Sequence, residues 1–200
     1  MSGEFPFRVT LLGTGCPVVN SRRFGAGTLV ECAGKCFLVD IGSGCTEVSV
    51  MSMGGVVCGH SFGVGGEAMN DAIIDHVRSH YNVLIGSVSA EQAKLELGAA
   101  RPSHSLRSLE LRGRDLMRSV PAALDNKSDE VCDALAEPVQ QILQSIHMTF
   151  ELTPPEIAGD DAQRGIMLDG GGAPLAGLDR FLSERTGLPV VLHDDGLDAA

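Results

Sequence analysis

The chain has no tryptophan and a single tyrosine in 200 residues, and aromatic side chains make up only 4% of it. Its core must therefore be built from Val, Ile, Leu, Met and Ala, and it offers few flat rings on which unpaired bases could stack. A basic stripe is missing as well. In the first 39 residues Arg8, Arg22, Arg23 and Lys35 outnumber Glu4 and Glu31, so the net charge of −11 lies wholly in the remainder. An acidic body of this kind repels phosphate backbones and anionic membranes, and no nucleic-acid partner is expected. No stretch approaches the roughly 20 apolar residues of a membrane span, so direct membrane insertion is not expected. Cys16, Cys32, Cys36, Cys45, Cys58 and Cys132 lack the spacing of a disulfide framework. The opening "FRVTLLGTGCPVV" lacks both the basic lead and the long apolar run of a signal peptide. Reduced thiols and a cytoplasmic location are the expectation.

What is present is a globular composition, 44% hydrophobic and 20% charged, with 25 glycines. Residues 7–15 read as a strand, and "TLVECAGKCFLVD" reads as a hairpin turned at Ala33-Gly34. Thr46–Met53 and Val56–Phe62 form a second hairpin, making three consecutive antiparallel strands. Glu67 to Tyr81 carries Met69, Ala72, Ile73 and Val77 at helical spacing. Ser89 with Gln92 forms a capping box for a short helix that Gly98 closes. Leu106–Leu111 is a short alternating strand. Ser128 opens a long helix with Val131, Leu135, Val139, Ile142, Leu143 and Ile146 on one face, and Pro138 is expected to kink or divide it. Thr153, Pro154 and Glu156 signal another helix start. Ile166–Leu168 is a strand, Pro174 opens a helix that Gly187 ends, and Pro189–Leu192 is a last strand. This order of elements is that of a layered α/β domain.

Three local patterns carry chemistry. In "VDIGSGC", Gly42 and Gly44 can turn their N–H groups toward a phosphate, and Asp40 can hold Mg²⁺ through water. An ordinary β-turn uses the same residues. In "IMLDGGGAPLAGLDRFL", Gly170, Gly171 and Gly172 join a strand to a helix and let the backbone approach a ligand, or simply make a tight turn. Glu91 and Lys94 lie three apart on one helix face, which by itself describes a surface ion pair.

Taken in order, these patterns resemble the second half of the bacterial actin MreB family. The matching stretches include "VDIGSGCTEVSV", "VGGEAMNDAIIDHVR", "AEQAKLELGAA", "LRGRDL", "EPVQQIL", "TPPEIAGD" and "RGIMLDGGGAPLAGLDRFLSERTGLPVVL". The resemblance runs from Leu38 to about Asp195. It implies an actin-like, RNase H-like α/β domain over 38–200, with a small insertion at about 86–127, preceded by a β appendage over 1–37. It further implies a phosphate loop of Asp40, Gly42, Ser43, Gly44 and Cys45, ribose and adenine contacts from Glu91 and Lys94, and an adenosine turn of Gly170, Gly171 and Gly172. ATP or ADP with Mg²⁺ at Asp40 would be held weakly and not turned over by this chain alone. An actin-like subunit or the family's first domain is the implied partner, and cell shape the implied process. The chain departs from the family pattern at Ser43, Cys45, Glu67 and Asp169, and the last adds a carboxylate beside a phosphate pocket.

The opening "VTLLGTGCPVVNSRRFGAGTLVECAGKCFLVDIGSG" resembles instead the first strands of metallo-β-lactamase enzymes of the RNase Z type, which share the Asp-x-Gly-x-Gly tip. A metal-dependent hydrolase with degenerate ligands, or a non-functional chimera, is the alternative reading. Two adjacent zinc ions require converging imidazoles and carboxylates, and the sequence has no His-x-His-x-Asp-His cluster. His76 and His80 could share a metal but read as solvated helix-face residues, and no zinc is expected.

Overall fold

The computed structural model describes residues 7–13, 27–32, 35–52, 55–102, 106–154 and 165–193, with side chains from residue 37 onward. The centre is a five-stranded mixed sheet in the order β10-β9-β3-β4-β5. Its strands are β3 (Lys35–Ile41), β4 (Thr46–Ser52), β5 (Gly55–Phe62), β9 (Ile166–Asp169) and β10 (Val190–Leu192). The β3–β4 and β4–β5 pairs are antiparallel, whereas β9 lies parallel to both β3 and β10.

Alternation decides which face is covered. Phe37, Val39 and Ile41 on β3, Val48 and Val50 on β4, and Ile166 and Leu168 on β9 are buried together in one core. That core is closed by α3 (Ser128–Leu152), whose Val131, Leu135, Val139, Ile142 and Ile146 are all buried. Phe150 of α3 meets Phe37 with ring centroids 4.3 Å apart. The intervening strand positions, Leu38 and Asp40 on β3 and Met167 and Asp169 on β9, point to the opposite face. Against the α3 side of the layer pack α1 (Gly66–Tyr81), through Met69, Ile73 and Val77, and α4 (Leu178–Thr186), through Leu178 and Leu182.

A smaller unit follows α1. Here β6 (Val83–Leu84), β7 (Ser108–Asp115) and β8 (Pro121–Lys127) form an antiparallel sheet, with α2 (Ser87–Leu97) packed near β7. It begins at Val83, ahead of the expected insertion boundary, because Val83 and Leu84 pair with Asp115 and Arg114.

Several local expectations change. The hairpin turned at Ala33-Gly34 is not a pair: β2 (Gly27–Cys32) pairs with β1 (Phe7–Gly13), because both edges of β3 are taken by β4 and β9. Helix α2 starts at Ser87 with no side-chain cap, two residues before the capping box. The strand expected at Leu106–Leu111 runs on to Asp115 and finds β8 as partner across a hairpin whose second strand carries little alternation. Pro138 does not divide α3. The stripe from Leu135 through Val139 to Ile142 is buried on both sides of it, so core packing outweighs the lost hydrogen bond. Helix α4 starts at Leu178, not Pro174, because Gly170–Ala173 and Gly172–Leu175 turns occupy the intervening residues. Thr153 caps the end of α3, and the helix expected after it lies outside the described residues.

Candidate nucleotide site

Three segments converge at one end of β3. The loop Gly42–Cys45 is closed by Gly42 N–H donating to the Cys45 carbonyl at 2.9 Å, and it sits on the first turn of α1. Gly66 and Glu67 donate to the carbonyls of Gly42 and Ser43 at 3.0 and 2.7 Å, so the loop satisfies the helix donors a ligand would otherwise take. A Cβ on Gly65 would lie 2.6 Å from the Gly42 oxygen, which is why this approach needs glycine. The N–H groups of Ser43 and Gly44 have no backbone partner among the described residues, as an anion-binding nest requires.

The second segment is the turn after β9. Gly170 has φ +86°, and a Cβ there would strike the Asp40 carboxylate. Gly172 donates to the Ile41 carbonyl at 2.9 Å, drawing the turn onto the end of β3. The third is α2, tied to the same turn by Ala100 N–H donating to Ala176 at 2.9 Å.

Together they line a cleft of about 520 Å³, whose wall includes Gly42, Ser43, Gly66, Glu67, Asn70, Ser87, Val88, Glu91, Lys94, Gly171 and Gly172. A second recess of about 370 Å³ shares Lys94, Gly171 and Gly172 and adds Met69, Leu95, Arg107, Pro174 and Leu175. Of the expected residues, Gly42, Ser43, Glu91, Lys94, Gly171 and Gly172 line the cleft. Asp40, Gly44, Cys45 and Gly170 stand behind that lining: Gly44 and Cys45 complete the loop, and Gly170 covers Asp40.

Glu91 and Lys94 are more than the surface pair their spacing suggests. The Lys94 side chain is only 11% exposed, and its Nζ lies 2.7 Å from Glu91 Oε2 and 3.2 Å from the Gly66 carbonyl. Asn70 donates to the same carboxylate oxygen at 2.7 Å. Partial burial opposes the charge of Glu91, but the hydrogen bonds from Lys94 and Asn70 outweigh it, holding the carboxyl below the usual glutamate range. Asn70 Oδ1 is buried with no partner among the described residues and is placed to accept from a hydroxyl. Asn70, Ser87 and Val88 were not singled out from the sequence. Asn70 lies one turn beyond Gly66 on the same helix, and that spacing was the signal available for it.

Behind the glycine turn stands a row of acids. Asp40 on β3 is paired with Glu47 on β4 and Asp169 on β9. Burial, then Asp169, then Glu47 push the Asp40 carboxyl above its ordinary value. Asp169 is buried, and its Oδ1 lies 3.5 Å from His193 Nδ1. Among the described residues no group of three or more His, Cys, Asp or Glu is placed to hold a metal, so a divalent cation at Asp40 would take most of its oxygen ligands from water and the phosphates of a bound nucleotide.

A mixed five-stranded sheet backed by α3, with a loop, a glycine turn and a small α/β unit around one cleft, is the actin-like fold. In crystals of MreB5 of Spiroplasma citri bound to AMPPNP and to ADP, the protein is 32% identical and superposes with TM-score 0.79, over 82% of this chain and 50% of that one. The family model described as MreB/Mbl protein matches residues 21–200. The chain belongs to the MreB/Mbl family. It is 45% identical over 173 residues to the cell shape-determining protein MreB of Escherichia coli (strain K12), covering 86% of this chain and 50% of that protein. To the cell shape-determining protein Mbl of Bacillus subtilis (strain 168) it is 34% identical over 174 residues, 87% of this chain and 52% of that protein. The chain thus spans about half the length of these relatives. The family match begins at residue 21, ahead of the seam expected at residue 38, and includes β2.

Proposed function

We propose that this chain is one wall of the nucleotide cleft of a cell-shape protein and binds ADP or ATP with Mg²⁺. The observation that carries this reading is the convergence of the Ser43–Gly44 amides, the Glu91–Lys94–Asn70 cluster and the Gly171–Gly172 turn on one cleft. The amides suit a phosphate, and Glu91, with the unpartnered Asn70 oxygen, suits ribose hydroxyls. Lys94 is fixed between Glu91 and Gly66 at the border of the apolar recess, where a base would lie. The AMPPNP and ADP complexes of the Spiroplasma relative support the same class of ligand.

In this reading Asp40 holds Mg²⁺ through water, and the ion supplies charge neutralisation for the phosphates. Asp169 opposes the phosphates by repulsion. The cleft is open on one side and binding is weak: loss of about half the contacts would take a micromolar site near −8 kcal/mol toward a millimolar one near −4. The chain by itself neither turns over ATP nor forms filaments, and its partner is an actin-like subunit or domain that closes the cleft. Calorimetric titration with Mg²⁺-ADP tests the binding, and phosphate release with pelleting under Mg²⁺-ATP tests the rest. The expected results are millimolar saturation that weakens without Mg²⁺, no turnover and no polymer. Absence of saturable binding up to about 10 mM overturns the site, and turnover lost in Asp40→Ala overturns the half-site reading.

A further inference from the structure

The recess beside the cleft is bordered by two cations, and their side chains are committed differently. Lys94 is held between Glu91 and the Gly66 carbonyl. Arg107, immediately ahead of β7, borders the same recess, and among the described residues no carboxylate lies within ion-pair distance of its guanidinium. Its main chain, by contrast, is fixed. Arg107 N–H donates to Ser128 Oγ at 3.1 Å, and Ser128 N–H donates back to the Arg107 carbonyl at 2.9 Å. Ser128 opens α3, so the helix that closes the core also sets where the Arg107 side chain begins. The guanidinium keeps its five donors for a ligand and has no acceptor to offer.

We propose that Arg107 is a base-recognition residue, whose guanidinium lies against the base of a nucleotide held in the adjoining cleft and donates to its acceptor atoms. The inference rests on the nucleotide reading of the cleft and adds to it a residue of the smaller unit. The lining decides what the cation serves. Met69, Leu95, Pro174 and Leu175 give the recess an apolar wall, and no carboxylate lines it. A phosphate pressed against that wall would lose hydration without repayment, whereas a flat heterocycle with acceptor nitrogens loses little. A guanidinium is planar and weakly hydrated, stacks on aromatic faces and is attracted by the ring electrons. Lys94 cannot take this part, because its ammonium is already bonded to Glu91 and Gly66. A purine offers such a cation a larger face than a pyrimidine does, so Arg107 favours purine nucleotides.

The test is titration of the whole chain and of its Arg107→Met and Arg107→Lys variants with ADP, UDP and pyrophosphate, each with Mg²⁺, read from the amide resonances of Ser43, Gly44, Gly171 and Gly172. Pyrophosphate has no base and reports the phosphate loop alone. The main-chain bonds to Ser128 do not involve the side chain, so both variants should keep the parent's urea midpoint. The parent should bind ADP more tightly than UDP. Arg107→Met should weaken ADP by about fivefold, narrow the gap to UDP, and change pyrophosphate by less than about twofold. Arg107→Lys keeps the charge without the planar fork and should resemble the Met variant toward ADP. Equal losses for ADP and pyrophosphate would make Arg107 a general source of positive charge and overturn the proposal, as would full ADP affinity in either variant. Those results leave the cleft reading standing, whereas no saturation of the parent by any of the probes overturns both.

Discussion

Glu91 accepts hydrogen bonds from Lys94 and Asn70, both at 2.7 Å, whereas Asp40 stands between Glu47 on one neighbouring strand and Asp169 on the other. One carboxylate is held ionised and the other is pushed toward its neutral form, though both belong to the same end of the molecule. The difference lies in where the neighbours come from. A helix supplies Glu91 with a cation three residues away. A sheet sets Asp40 beside residues from distant parts of the chain, and those are acids. In the proposed function a nucleotide with Mg²⁺ would meet both: a compensated polar cluster to orient it, and an acid crowded by other acids beside which a cation would be favoured.

The comparison can be broken most severely at Gly170. Gly170→Ala places a methyl group at φ +86° against the Asp40 carboxylate and the Ile41 carbonyl, and should cost about 3 kcal/mol by urea unfolding. A loss below about 0.5 kcal/mol would show that the turn relaxes away from β3. On the compensated side, Lys94→Met removes the cation from Glu91 and the bond to Gly66. The pair is partly exposed, so the stability cost should be only about 1 kcal/mol, with Mg²⁺-ADP binding about tenfold weaker. The Glu91 carboxyl should then titrate above its present position, which carbon-detected NMR reads directly.

Asp40→Asn sharpens the contrast from the other side. A carboxyl raised in the folded state contributes stability that is present below its unfolded value of 3.8 and is lost as pH rises through the folded value. Asn removes that loss, so the variant should be more stable than the parent at neutral pH, with no advantage well below pH 3.8. Its nucleotide binding should no longer depend on Mg²⁺. A stability advantage that grows toward acid would contradict the assigned sign. The smallest effect is expected for Asp169→Asn, which takes one repelling charge from behind the phosphate loop and should tighten Mg²⁺-ADP by a few-fold, about 0.5–1 kcal/mol. Weaker binding would make Asp169 a helper in holding the cation.

Much of this layout could be read along the chain. The α1 and α3 stripes, the strand runs of β3 and β4, and the glycine tips at Gly42 and Gly172 are written in spacing and backbone freedom, which act between near neighbours. So is the Glu91–Lys94 pair, because three residues on a helix is a contact. Folding decided what depends on distant partners: that β3 accepts β9 instead of β2, that Pro138 stays inside one buried helix, that Lys94 is drawn under Gly66, and that Asn70 reaches Glu91. It also set Glu47, Asp40 and Asp169 in one row across three strands, with His193, just past the end of β10, beside Asp169. Strand register brings together residues more than a hundred positions apart, and no local pattern records which charges will then be neighbours.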